Sequence, residues 1–294
     1  MYNRIYSLVH RSARPIPQKR QQLINKISTT VRRHLLALLA LATLIVAMTF
    51  PTILYVFNTE VFWLPTGADG DVWMKFWDAW YGKSLLLGRA DFYFSDLLFY
   101  PQGLSLVFHN FCIPHMLVFA GLQSIMPASN AYNLTYLVTV FAICSSAYLY
   151  LGYLFTDKWI SLLGAVIVGL SPFVVGHSSH PDLSLIATIP LSLYFFHRGV
   201  LECRPRFVVA SAVLTGITAY IGLYVFVCLC ISIVLYIVYF SVERWRDRRF
   251  LVTAALFVLL SAAIYTNTLS ISDTRYWSHY FARSFKPARD RLIC

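Results

Sequence analysis

Apolar residues run along this chain in long blocks rather than alternating with polar ones. Such blocks cover residues 35–57, 131–155, 159–175, 183–201, 207–240 and 250–266. At 1.5 Å per residue, blocks of this size match a bilayer core of ~30 Å. The 34-residue block 207–240 is too long for one helix and breaks naturally at Tyr220-Ile221-Gly222, so the pattern predicts about seven transmembrane helices. A further apolar stretch, 113–126, is only 14 residues long and suits a re-entrant or interfacial helix. No small-residue cleavage site follows the first block, where the chain reads Thr49-Phe50-Pro51-Thr52, so that block is expected to stay as an anchor.

Composition supports this. The 294 residues are 58% hydrophobic and 13% charged, against roughly 45–50% and 25% in soluble domains. A soluble enzyme, a secreted disulfide scaffold and a disordered regulator are excluded as classes. The net charge of +11 would suggest nucleic acid in a soluble domain. Its distribution here follows the positive-inside rule instead. Sixteen of the 24 Lys and Arg fall in the segments expected to be cytoplasmic, beginning with eight in residues 1–33. Only Lys75, Lys83 and Arg89 lie in the outer loops, and five more lie in the tail after Thr266. The expected fold is therefore an all-α polytopic membrane protein with an interfacial amphipathic helix in its first outer loop. A basic cytoplasmic segment, 1–34, leads into a multi-span domain, 35–266, with an outer loop at 58–112 and a polar basic tail at 267–294. The tail is out of character for an outer segment and reads either as a strip on anionic headgroups or as a stretch foreign to the fold. No nucleic-acid partner is expected. The six cysteines show no CxxC spacing and read as small hydrophobes.

Polar chemistry collects on the expected outer side. From Asp71 to Leu87 the residues Trp73, Phe76, Trp77, Trp80, Ser84 and Leu87 repeat at helical spacing, as in a helix lying at headgroup level. Ahead of it stands Gly67-Ala68-Asp69-Gly70-Asp71. Asp71 suits a helix cap, and the Asp-Gly step suits a turn. The pair Asp69 and Asp71 also suits a divalent cation or a general base. His177-Ser178-Ser179-His180-Pro181-Asp182, with His109 and His115, puts four of the eight histidines on the same side. One composite pocket is the sharper reading and ordinary polar loops the plainer one. Tyr93 and Tyr100 belong to a second aromatic block ending in Pro101-Gln102-Gly103, suited to a sugar or lipid wall or simply to packing. No P-loop, nucleophile elbow or dinucleotide fingerprint occurs.

Ala68-Asp69-Gly70-Asp71, the helix from Trp73, the block Asp96-Leu97-Leu98-Phe99-Tyr100-Pro101-Gln102-Gly103, Asn130-Ala131-Tyr132-Asn133 and Gly169-Leu170-Ser171-Pro172 follow one another in order. Over about residues 35–265 this resembles the GT-C-type integral membrane glycosyltransferases, notably the bacterial YfhO-like and 6-pyruvoyl-tetrahydropterin-synthase-related membrane proteins. The resemblance implies a bacterial plasma-membrane protein with a cytoplasmic N-terminus and a non-cytoplasmic active site. Sugar would pass there from a polyprenyl-phosphate carrier to an acceptor. It implies Asp71 and Asp69 as catalytic residues and as ligands of any Mg or Mn ion. His177, His180, His109 and Lys75 become candidates for the lipid phosphate, and Trp73, Trp77 and Tyr100 for the sugar or lipid wall. Relatives usually have more helices and often a further C-terminal domain. The alternative is a non-catalytic or truncated membrane protein serving as a scaffold or lipid-binding subunit.

Overall fold

The computed structural model describes residues 18–55, 57, 70–106, 109–155, 157–177, 180–244 and 246–264. The expectations for Asp69, for residues 1–17 of the basic segment 1–34 and for the tail 267–294 lie outside these residues. Two compact units divide the chain, Met1–Leu44 and Ile45–Cys294.

Helix α1, Gln18–Met48, is basic in its first half and apolar from His34 to Met48. It stops short of Pro51, as expected where a proline disfavours helical backbone before it. The apolar part is therefore shorter than the span expected over 35–57. A 3₁₀ turn, Thr52–Tyr55, follows.

In the second unit, α2 (Gly70–Leu86) comes first, then a minimal antiparallel hairpin of β1 (Phe94–Ser95) and β2 (Leu104–Ser105). Gly103 closes the hairpin turn at φ +72°, and a Cβ there would run into the Phe94 ring, so only glycine fits. Helix α3 (Ile113–Gln123) is the short apolar helix anticipated at 113–126.

The bundle begins with α4, Ala128–Leu154, which buries Tyr132, Tyr136, Val140, Ile143 and Ala147 at helical spacing. Next, α5 (Lys158–Gly169) starts on Asp157, whose carboxylate accepts from the amides of Trp159 (2.7 Å) and Ile160 (3.2 Å). It packs tightly on α4, since a Cβ on Gly169 would overlap the Cys144 sulfur. Leu170-Ser171-Pro172 interrupts the helix before α6 (Pro172–Gly176). Then α7 (Pro181–Ser184) and α8 (Thr188–Val200) run into α9 (Pro205–Ala219), and Tyr220-Ile221-Gly222 turns the chain into α10 (Leu223–Arg244) as its sequence suggests. A further helix, α11, covers residues 248–264.

Small polar residues join α8 to α9. The Ser192 hydroxyl lies 2.9 Å from that of Thr215, Ser211 donates to the Ser192 carbonyl (2.9 Å), and Thr218 donates to Thr188 (2.8 Å). Between apolar helices such bonds replace water as partners and let backbones approach closely.

Among the described residues, four helical segments are long and apolar enough to cross a membrane: Ala128–Leu154, Lys158–Gly176, Pro181–Val200 and Leu223–Val242. The expected seven are thus reduced. His34–Met48 and Pro205–Ala219 are apolar but too short, and α11 opens on Arg248 and Arg249. The apolar surfaces of the long segments call for lipid. Leu223–Val242 is the most apolar of them, yet only Val225, Leu229 and Ile233 along it are buried in protein.

Candidate functional site

Helix α2 is amphipathic in a sense opposite to a soluble surface helix. Trp73 and Trp80 face outward, at 56% and 41% exposure, while Val72, Lys75, Asp78 and Ala79 face inward. Lys75 and Asp78 are only 3% exposed. A charge buried alone would be prohibitively costly, so each must find partners.

They find them at the end of the bundle where α4 and α7 begin and α9 turns into α10. The Lys75 ammonium lies 3.7 Å from Asp78 Oδ2 and 3.6 Å from Asp182 Oδ1, the latter on α7. It donates its hydrogen bond to the Asn110 carbonyl at 2.8 Å. The Asn110 side chain donates to Asp182 Oδ2 at 2.7 Å, and His109 Nε2 meets Asp78 Oδ1 at 2.5 Å. With Asp78 ionised, His109 must carry its proton on Nε2 to donate there. Residues 109–112 are held in turn, with Cys112 donating to the Pro181 carbonyl (3.7 Å) and the Ile113 amide to the Tyr220 carbonyl (3.0 Å). A Cβ on Gly222 would come within 2.8 Å of the Asp182 carbonyl, so that turn lies directly against α7.

Toward solvent, the first turn of α2 presents Asp71. Its Oδ2 lies 3.7 Å from His180 Nε2, with side chains 55% and 27% exposed. The His177 ring is 6.3 Å from that of His180, and its Nδ1 donates to the Phe173 carbonyl at 2.8 Å. The neutral His177 ring then keeps Nε2 as an acceptor.

Burial sets the protonation of two neighbours. The Cys112 thiol is pushed up to about 12, so it stays protonated and unreactive. His115, set edge-on to Tyr132, is pushed down to about 4, first by burial and then by the Lys75 charge. Because its folded value is below the ordinary 6.5, the unfolded chain binds the extra proton between those values. Stability from this group is complete above about pH 6.5 and declines as pH falls toward 4. Thermal unfolding in detergent should therefore occur at lower temperature at pH 5 than at pH 7.5. The groups that face it, the Lys75 charge, Tyr132 and Cys112, remain in a His115→Gln variant, which should narrow that difference.

The structure thus brings together Asp71, His180 and His177 at a rim and Lys75 and His109 beneath it. Trp77 stacks on Tyr81 (4.6 Å between ring centres), while Tyr100 stands 84% exposed in the hairpin turn. Sequence reasoning left Asp78, Asn110 and Asp182 out of the site. An acid three residues after a lysine reads as a surface pair, and nothing local shows that Asp182 will meet both.

A divalent cation needs several hard oxygen ligands. Asp71 faces an imidazole, Asp78 and Asp182 already flank an ammonium ion, and among the described residues no group of three or more His, Cys, Asp or Glu is arranged to hold a metal. The described donor set does not fit a metal ion. No protein-family model, curated protein or solved structure matches this chain.

Proposed function

We propose that the chain is a membrane glycosyltransferase that moves a sugar from a polyprenyl-phosphate carrier to an acceptor hydroxyl on the non-cytoplasmic face. The observation that supports it is the Asp71–His180 pair, half open to solvent at the end of apolar helices. Asp71 takes the proton from the acceptor hydroxyl, whose oxygen attacks the anomeric carbon. The bond from that carbon to the phosphate oxygen breaks, and its electron pair leaves on the polyprenyl phosphate. His180 donates a hydrogen bond to the departing phosphate, and His177, whose Nδ1 already donates to the Phe173 carbonyl, can add one from Nε2 only when its ring is protonated. Lys75 and His109 are engaged by carboxylates and play no part there. Their role is positioning. Lys75 follows Asp71 by one helical turn and Asp182 follows His180 by two residues, so the Lys75–Asp182 contact clamps the two segments that carry the pair.

Release of polyprenyl phosphate by purified protein, given a polyprenyl-phosphate sugar and a hydroxyl acceptor, tests the reading. No turnover from a folded protein across a panel of such donors would sink it. That result would favour the second reading, a non-catalytic scaffold or lipid-binding subunit. The 3% exposure of Lys75 and Asp78 suits such a purely structural clamp.

A further inference from the structure

Beyond the Asp71 rim, the structure contains a cavity of about 800 Å³ at the other end of α2. That volume is within the ~300–1,000 Å³ of small-molecule sites. Its walls are the last turns of α2, with Tyr81 and Ser84, and the loop that follows, with Arg89, Asp91, Tyr93 and Asp96. Tyr81 fixes the shape. Its hydroxyl donates to the carbonyls of Asp91 (2.9 Å) and Phe94 (3.1 Å), and burial raises its pKa so that it stays protonated to do so. The Asp91 carboxylate accepts from the Tyr93 amide at 2.8 Å, which tightens the same loop. Stacking of Tyr81 on Trp77 and Phe111 anchors the wall to the buried part of the unit.

The lining narrows the chemistry. A phosphate would meet two carboxylates against one guanidinium. An alkyl chain would strand three charged groups, and an organic cation would pair with the carboxylates but leave the Arg89 guanidinium without an acceptor. A neutral polyhydroxylated ring uses the whole set. Its hydroxyls donate to the carboxylates and accept from the guanidinium, while its C–H face lies on aromatic rings. We infer that this cavity is a saccharide-binding site separate from the Asp71–His180 pair.

Position adds a second consequence. Asp71 and Ser84 are thirteen residues apart on one helix, or about 20 Å at 1.5 Å per residue. A single sugar ring cannot occupy the cavity and reach Asp71, whereas an extended glycan can do both. The site therefore holds a distal unit of an oligosaccharide acceptor. That last step rests on the transferase reading, while binding itself does not.

The test is a saturation-transfer NMR titration of the full chain in a detergent without a sugar headgroup. The probes are cellotetraose, maltotetraose and chitotetraose, with phosphoethanolamine and inorganic phosphate alongside. At least one tetrasaccharide should bind, and Arg89→Gln and Asp96→Asn should each weaken it about tenfold, the loss of one charge-assisted hydrogen bond. Both side chains are exposed, so the variants should unfold at the wild-type temperature. Sugar binding untouched by either variant, binding of phosphate or phosphoethanolamine instead, or no sugar binding by folded protein overturns the proposal. Saccharide binding without transfer would count against the transferase reading and leave the cavity assignment standing.

Discussion

An Asp71→Asn protein is expected to lose sugar transfer by about 10²–10⁴-fold, the usual contribution of a positioned general base. Asparagine is the informative replacement because it keeps the size of the side chain and its ability to accept from free amides at a helix start. What it removes is the charge and the proton affinity. The position is half exposed, at 55% for the side chain, so the fold has little to lose. Loss of a favourable carboxylate at a helix N-terminus costs about 0.3–1 kcal/mol, too little to unfold the unit. His180→Gln should reduce transfer less, since a hydrogen-bonding group remains beside the phosphate. The readout is polyprenyl phosphate released per folded molecule, with the unfolding temperature measured in parallel. Transfer by Asp71→Asn at the wild-type rate would eliminate this residue as the base, whatever the reaction turns out to be.

Local pattern is enough to place Asp71 at the start of a helix and not enough to find what lies beneath it. The helix expected from Asp71 to Leu87 is observed at Gly70–Leu86, and the turn at Tyr220-Ile221-Gly222 falls where the apolar block is too long for one helix. Both follow from short-range signals, spacing in one case and length in the other. Which face of α2 turns inward was not legible in the same way. Tryptophans at helical spacing suggest an interface, but the stripe does not stay on one side: Trp73 and Trp80 face outward, while Phe76 and Trp77 pack against buried clusters. The inward face, however, carries Lys75 and Asp78, which hydropathy alone would send to water. Their burial depends on Asp182, more than a hundred residues further on, and on Asn110 and His109 from a loop. Tertiary placement supplies those partners, and no window of sequence contains them. The span count erred for a related reason. An apolar block records what avoids water, whereas a span also needs unbroken helix, and α1 ends at Met48 and α9 at Ala219.

Removing the central cation should have the largest effect on stability. In a Lys75→Met protein, Asp78 and Asp182 would be left facing one another at 3% and 8% exposure. Asp78 Oδ2 and Asp182 Oδ1 have no hydrogen-bond donor, so the ammonium is their compensation. Breaking a buried pair from one side costs about 3–5 kcal/mol, because the remaining charge stays desolvated. That is a large share of the ~5–15 kcal/mol that holds a typical folded domain together. Methionine keeps most of the volume, so the loss reports charge rather than a cavity. Neutralising the acids in the same background, as Lys75→Met with Asp78→Asn and Asp182→Asn, should recover part of the loss, since neutral amides cost less to bury than unpaired carboxylates. Thermal unfolding of wild type, Lys75→Met, Asp78→Asn with Asp182→Asn, and the triple variant in detergent measures the coupling directly. Additive effects of the three substitutions would mean that the carboxylates do not depend on Lys75. Strong coupling would show that the segments carrying Asp71 and His180 are held together by one ion cluster, and the single Lys75→Met variant should then disturb the pair as well as the fold.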